Sequence, residues 1–62
     1  MDSSIRWLKE RQVAEITGIS LSTLRKHRAK MIGIRFTKIG RSVRYSSADV
    51  QNFMEAAKVE LR

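Results

Sequence analysis

The side chains of this chain best suited to chemistry are basic, and they are concentrated in its middle. Between Ile16 and Ala48 there is no acidic residue, while eight basic residues give this stretch a charge of +8. They are Arg25, Lys26, Arg28, Lys30, Arg35, Lys38, Arg41 and Arg44. The remaining segments sum to −1, so the net charge of +7 comes from the middle. A continuous basic region suits a polyanion, because phosphates neutralised by Lys and Arg release condensed counterions.

Catalytic and metal-binding chemistry is not indicated by the residue types. The chain has no cysteine and one histidine, so neither a disulfide framework nor a Cys/His zinc site is expected. His27 has no partner nearby that would make it a general base, and we expect it to pack or to lie on the phosphate side. We also find no phosphate-binding glycine loop. The prediction is a protein that is not an enzyme and needs no cofactor, metal or small-molecule substrate.

The stretch that must position these charges is residues 10–29, ERQVAEITGISLSTLRKHRA, which has the pattern of two helices joined by a tight turn. Helix one is predicted over about residues 9–17. It should end at Gly18, because glycine enters the left-handed conformation of a helix C-terminus without steric cost. Helix two is predicted over about residues 21–31, with the Ser20 hydroxyl capping its first turn. The pattern is that of a helix-turn-helix.

Helix two should have an apolar side and a polar side. Leu24 and Met31 share one face at 3.6 residues per turn and should anchor the helix to the core. The other surface suits the DNA major groove, where Arg pairs bidentately with guanine and Thr meets the thymine methyl group. The side chains predicted to face the bases are Ser20, Ser22, Thr23, Arg25 and Lys26. Arg28 and Lys30 are expected to contact phosphates.

After helix two, the side chains alternate in character at every second residue instead of following the helical spacing. Residues 36–45 alternate about a turn at Gly40, and glycine at the first loop position is what a two-residue type II′ hairpin needs. In that register Phe36 lies opposite Tyr45. Ile39 then falls on the other side, which leaves a longer loop open.

Contacts with the DNA backbone are also expected outside helix two. The hairpin tip, residues 40–42, lies beside Lys38 and has the character of a wing that touches a phosphate or enters the minor groove. A solvent-exposed turn with an incidental arginine is the alternative. Near the start of helix one, Arg11 or Gln12 could also reach a phosphate.

A third helix is predicted over about residues 47–59. Ser46 and Asp49 form a capping arrangement at its start. Its apolar residues recur at i, i+3, i+4 and i+7, and they are Val50, Phe53, Met54 and Ala57. We expect this helix to close the core over Trp7 and the hairpin.

The length of 62 residues predicts a single domain over residues 1–62, with residues 1–4 and 60–62 frayed. The first residues lack the apolar run of a signal peptide, and no segment is apolar over the roughly 20 residues needed to cross a membrane. We therefore expect a soluble, cytoplasmic, nucleoid-associated protein without a membrane partner.

Two segments resemble a known family. WLKERQVAEITGISLSTLRKHRA and VRYSSADVQNFM are similar to small winged helix-turn-helix proteins of the excisionase and AlpA type, which are related in fold to the DNA-binding domain of MerR regulators. The resemblance covers about residues 7–54. It implies a mainly α fold with a small β-hairpin, that is, a winged helix-turn-helix of three helices and a two-stranded wing. By position it also implies a wing tip at Gly40 and Arg41, with Arg44 supporting the wing or binding a backbone phosphate.

The chain departs from the family pattern at two places. His27 stands where such proteins often carry Trp or another bulky apolar residue, and the link after Met31 lacks the proline common there. Both departures concern the passage from helix two to the wing.

The expected function is sequence-specific binding of double-stranded DNA. The resemblance implies either an excisionase-type recombination directionality factor or an AlpA-like transcriptional regulator of a phage or mobile element. A second copy of the chain, or an integrase or other recombinase, is the expected protein partner. The alternatives are a protein-interaction adaptor that uses helix three and a nonspecific nucleic-acid-binding module.

Overall fold

A computed structural model of the protein describes residues 5–59. The elements are β1 (Trp7–Leu8), α1 (Glu10–Thr17), α2 (Leu21–Ala29), β2 (Thr37–Ile39), β3 (Ser42–Ser46) and α3 (Ser47–Ala56). The strands form an antiparallel sheet in the order β1-β3-β2. This is the expected winged helix-turn-helix, with the short strand β1 added to the two-stranded wing. The fraying predicted for residues 1–4 and 60–62 lies outside the described residues.

None of the helices within residues 5–59 is long and apolar enough to span a membrane.

The helix-turn-helix forms as its capping residues predict. Gly18 ends α1 with φ of 77°, and its N–H donates to the Ala14 carbonyl at 2.8 Å. Ser20 begins α2, where its hydroxyl oxygen accepts from the Thr23 N–H at 3.2 Å. Ile19 packs against the core between the two helices, so the turn is held by an apolar contact as well as by its caps.

The core is formed by side chains of α1, α2, α3, β1, β3 and the connector between α2 and β2. Its buried apolar residues are Leu8, Val13, Leu24, Ile34, Tyr45 and Val50. The Ser46 hydroxyl accepts from the Asp49 N–H at 3.0 Å and so caps α3, as predicted. β3 and α3 follow each other without a loop, which carries the wing directly into the core.

The prediction that Met31 anchors α2 is wrong. The helix ends at Ala29, and Met31 is 78% exposed with φ of 56°. The N–H of Met31 donates to the Arg28 carbonyl at 3.1 Å, and the next N–H, of Ile32, donates to the His27 carbonyl at 2.9 Å. These two bonds form a Schellman motif, which ends a helix at a residue in the left-handed region. Glycine normally occupies the left-handed position of this motif. Met31 occupies it here, so no glycine in the sequence marked the end of the helix.

Trp7 does not lie in the core, contrary to the prediction. It is 56% exposed, whereas the adjacent Leu8 is buried. β1 pairs Trp7 with Ser46 and Leu8 with Tyr45, and successive side chains of a strand point to opposite faces. Because Trp7 and Leu8 are adjacent in the strand, their side chains point to opposite faces. Leu8 therefore points into the core and the larger Trp7 side chain points to solvent.

Helix three is shorter than predicted. It ends at Ala56, and only the first part of its apolar stripe is covered. Val50 is buried and Phe53 packs against the core, but Met54 is 41% exposed and Ala57 is also exposed. The burial of α3 is confined to its first seven residues, since residues 54–57 are all exposed.

Candidate nucleic-acid interface

The outer surface of α2 combines short polar and long basic side chains. Leu24 is fully buried, so the opposite side of the helix must face solvent. The exposed residues on that side are Ser22, Arg25, Lys26, Ala29 and Lys30. Four of the positions predicted to meet DNA are therefore on one accessible surface.

Two of the predicted DNA-facing hydroxyls are already engaged in the cap of α2. The Ser20 hydroxyl donates to the Thr23 hydroxyl oxygen at 2.9 Å and lies 3.3 Å from the Ser22 hydroxyl oxygen. Thr23 is only half-buried, so its side chain still reaches the surface. The cluster holds the first turn of α2 in one arrangement, in which Ser20 and Ser22 are both exposed.

Arg25 is held by a carboxylate on the other helix. Its Nε donates to Glu10 Oε1 at 3.2 Å and its Nη2 donates to Glu10 Oε2 at 2.7 Å. The hydrogen bond from Arg25, opposed by partial burial and reinforced by Arg28, holds the pKa of the Glu10 carboxyl below its ordinary value. The two residues are 15 positions apart in the chain. Spacing along the sequence gave no indication of the pair, because only the crossing of α1 and α2 brings the two side chains together.

The structure places Arg28 toward the wing and away from the outer surface of α2. Arg28 Nη1 donates to Tyr45 Oη at 2.8 Å and to Glu10 Oε1 at 3.2 Å. Its guanidinium carbon lies 6.0 Å from the centroid of the Phe36 ring, and its side chain is only 18% exposed. Arg28 comes one turn after Leu24 and so shares the inner face of the helix. Arg28 therefore joins α1, α2 and the wing, and the phosphate contact predicted for it stays a prediction.

The wing has the predicted register. Lys38 pairs with Val43 and Ile39 pairs with Ser42, which leaves a two-residue loop. Gly40 has φ of 61° while Arg41 stays outside the positive-φ region, as a type II′ turn requires. This pairing excludes the longer loop that the sequence left open, and residues 38–42 are all exposed. The rings of Phe36 and Tyr45 lie 6.4 Å apart at the base of the wing, which matches their predicted opposition.

The comparison with protein families agrees with this geometry. The model of a family described as a helix-turn-helix domain matches residues 7–58, which is most of the chain and spans every element from β1 to α3. The chain belongs to this helix-turn-helix family. No curated protein and no solved structure matched it. Membership supports DNA binding as its function.

In this helix-turn-helix domain, the start of α1 and the wing enclose a groove rich in positive charge. Its lining residues are Lys9, Glu10, Arg11, Arg28, Arg41, Ser42, Val43 and Arg44. Arg44 is half-buried and donates from Nη1 to the Val43 carbonyl at 2.8 Å, so it is fixed against its own strand. The groove brings together the predicted wing arginines and Arg11, for which a phosphate contact was also predicted. It adds Lys9, which sequence reasoning missed because this residue lies outside the basic middle of the chain.

Within residues 5–59 no group of His, Asp and Glu side chains could hold a metal ion. His27 packs under the connector after α2, where a Cβ at Gly33 would lie 2.7 Å from its Nδ1. The packing role expected for His27 is thus the one it has.

Proposed function

We propose that this protein binds double-stranded DNA in a sequence-specific manner, reading the major groove with α2 and contacting the backbone or minor groove with the wing. The observation that carries the proposal is the direct connection between the outer surface of α2 and the groove beside the wing. Arg25 on α2 is bonded to Glu10, and Glu10 lines the groove that also contains Arg41 and Arg44. The exposed Arg25 thus lies next to the groove, and we expect helix and wing to contact one DNA duplex together.

The dimensions of the parts suit duplex DNA. An α-helix with its side chains is about 10–12 Å across, and the major groove is about 12 Å wide. Ser22 and Arg25 lie within the first five of the nine residues of α2, and Lys26 follows directly; the N-terminal part of such a helix is the part that meets base edges when it enters the groove. The exposed tip at Gly40 and Arg41 is thin, as a wing beside the backbone or in the minor groove must be.

We propose one of two biological roles for this binding. The first is an excisionase-type recombination directionality factor, and the second is an AlpA-like transcriptional regulator. Both use the same surface, and both call for a second bound copy or a protein partner such as a recombinase, since one small domain contacts few base pairs. The layout of the target separates them: direct repeats favour the recombination factor, and a palindrome favours a dimeric regulator.

The test is selection from a randomised duplex library at about 0.15 M salt, where screening is physiological. An enriched motif is the expected result. If nothing is enriched while the protein still binds DNA, the specific-reading role of α2 fails and nonspecific binding remains.

A charge reversal at Lys26 tests which surface is used. Lys26→Glu should weaken duplex binding about tenfold or more, because it sets a carboxylate against the DNA. Arg25 is less suitable for reversal, since a glutamate there would face Glu10 and disturb the fold. Lys58→Glu is the matched control, because Lys58 lies two residues after the end of α3 in an exposed ion pair with Glu55, and such pairs contribute little to stability. Equal binding by both variants would remove α2 from the interface.

A second candidate function is a protein-interaction adaptor. The observation that favours it is the exposed apolar surface in the last turn of α3 and just after it, where Met54 is 41% and Val59 is 77% exposed. An adaptor would keep its partner after Lys26→Glu and lose it after Met54→Glu, and DNA binding would show the opposite pattern.

A further inference from the structure

Glu10 is an acidic residue in a groove whose other charged residues are basic, and its position needs an explanation. A carboxylate there weakens the general attraction of the groove for phosphates. Its contacts are nevertheless well defined: Glu10 accepts from both Arg25 and Arg28, and its pairing with Arg25 uses both carboxylate oxygens. A residue that lowers nonspecific affinity and yet is held from two sides is suited to a role in selectivity.

The geometry at Arg25 shows what that role can be. A guanidinium offers two pairs of parallel N–H donors, a side pair on Nε and Nη2 and an end pair on Nη1 and Nη2. Glu10 occupies the side pair, with distances of 3.2 and 2.7 Å. The end pair is not used by Glu10, and the side chain is 58% exposed. Arg25 therefore keeps one bidentate donor pair for an outside acceptor.

We infer that Glu10 is a positioning residue that holds Arg25 so that its end pair reads one guanine in the major groove. Guanine presents O6 and N7 as two adjacent acceptors, which is the pattern that a bidentate arginine recognises. Holding the guanidinium before binding reduces the side-chain entropy lost on contact with the base. It also occupies the side pair, which would otherwise be open to a phosphate. The inference rests on the proposed function, since it specifies how α2 reads DNA.

The position of Glu10 is itself set by the fold. Arg28 donates from Nη1 to Glu10 at 3.2 Å and to Tyr45 at 2.8 Å, so the carboxylate is tied to the base of the wing. The line of contacts Tyr45, Arg28, Glu10, Arg25 runs from the core to the surface of α2. A rigid support of this kind is what a base-reading side chain requires.

The experiment compares Glu10→Gln with Glu15→Gln in the full chain. Both variants remove one negative charge from α1, but Glu15 is exposed and lies more than one turn from Glu10. Dissociation constants are measured for the selected duplex and for a scrambled duplex of equal length at about 0.15 M salt. We expect Glu10→Gln to lower the ratio of specific to nonspecific affinity by about tenfold, while Glu15→Gln shifts both affinities together. Equal effects of the two variants on the ratio would overturn the inference.

Repeated library selection gives a readout that a merely structural role of Glu10 would not change. The Glu10→Gln variant should lose the preference for guanine at one position of the motif and keep the others. Arg25→Lys keeps the charge but not the bidentate donors, leaves Arg28 bound to Glu10, and should lose the same preference. Adding Glu10→Gln to Arg25→Lys should then have no further effect on that position.

The outcomes separate this inference from the proposed function. If the unaltered protein enriches no motif, the proposed function fails and the inference fails with it. If it enriches a motif whose bases are all retained by Arg25→Lys, only the inference fails. Far-UV circular dichroism at the assay temperature establishes that each variant is folded.

Discussion

Removing one oxygen atom from Tyr45 should measurably weaken the junction between α2 and the wing. Tyr45 is 1% exposed, and its hydroxyl oxygen accepts from Arg28 Nη1 at 2.8 Å. Tyr45→Phe deletes this acceptor and keeps the ring that packs beside Phe36. The change therefore isolates one hydrogen bond from a charged donor.

The size of the effect follows from the surroundings of Arg28. A hydrogen bond to a charged group contributes about 1.5–3 kcal/mol. The Arg28 side chain is 18% exposed and keeps Glu10 Oε1 at 3.2 Å, so the donor is not left wholly unsatisfied. We therefore expect a loss of about 1.5 kcal/mol, at the lower end of the range. In a domain of this size that corresponds to a fall in Tm of about 6–12 °C.

The assay is urea unfolding followed by far-UV circular dichroism, with thermal unfolding as a second measure. Ser42→Ala is the matched control, since it removes one hydroxyl from the same strand at an exposed site and should stay within about 0.5 kcal/mol. A double-mutant cycle with Arg28→Met assigns the loss to the pair: Tyr45→Phe should add almost nothing once Arg28 is gone. A full loss in the absence of Arg28, or no loss in its presence, would refute the reasoning.

Two left-handed backbone positions, one ion pair and the wing tip can each be perturbed by a single substitution. Met31→Gly should raise the free energy of unfolding by about 1 kcal/mol, because glycine relieves the left-handed strain at φ of 56°; a lower Tm for the variant would contradict this. Gly33→Ala should lower stability by more than about 1 kcal/mol, since its φ is 81° and a Cβ would lie 2.7 Å from His27 Nδ1; equilibrium unfolding that leaves stability unchanged would count against it. The folded-state pKa of Glu10 is lowered, so its stabilising contribution is present above the unfolded-state pKa and is lost as pH falls through the folded-state value. The gap in unfolding free energy between the unaltered protein and Glu10→Gln should therefore shrink from about pH 7 to about pH 3, and a constant gap would argue against the pairing. Arg41→Ala should reduce the slope of log affinity against log salt by about 1 if the wing meets a phosphate, and an unchanged slope would place the tip away from the backbone.

Much of the fold was predictable because its signals are local. Gly18 and Ser20 act through the backbone conformation and hydrogen bonds of their own turns, and both have the predicted roles. Gly40 likewise determines the hairpin loop within two residues of itself. The end of α2 was missed for the same kind of reason: Met31 takes a conformation that glycine usually supplies, so the local signal was absent.

The candidate interface was predictable only in outline. The basic middle of the chain and the side of α2 opposite Leu24 follow from charge and helical period, and the exposed residues Ser22 and Lys26 agree with both. The sequence could not show that Arg28 turns inward, because its partners Tyr45 and Phe36 lie on the wing.

The sequence by itself determined the three helices, the hairpin, the caps at Gly18, Ser20 and Ser46, and the location of the positive charge. Each of these depends on residues within a turn or two of one another. The tertiary structure alone decided that Leu8 and not Trp7 is buried, and that Glu10 holds Arg25. Both depend on which surfaces meet when β1 pairs with β3 and α1 crosses α2. Contacts across such distances along the chain leave no periodic pattern, so only the packed fold reveals them.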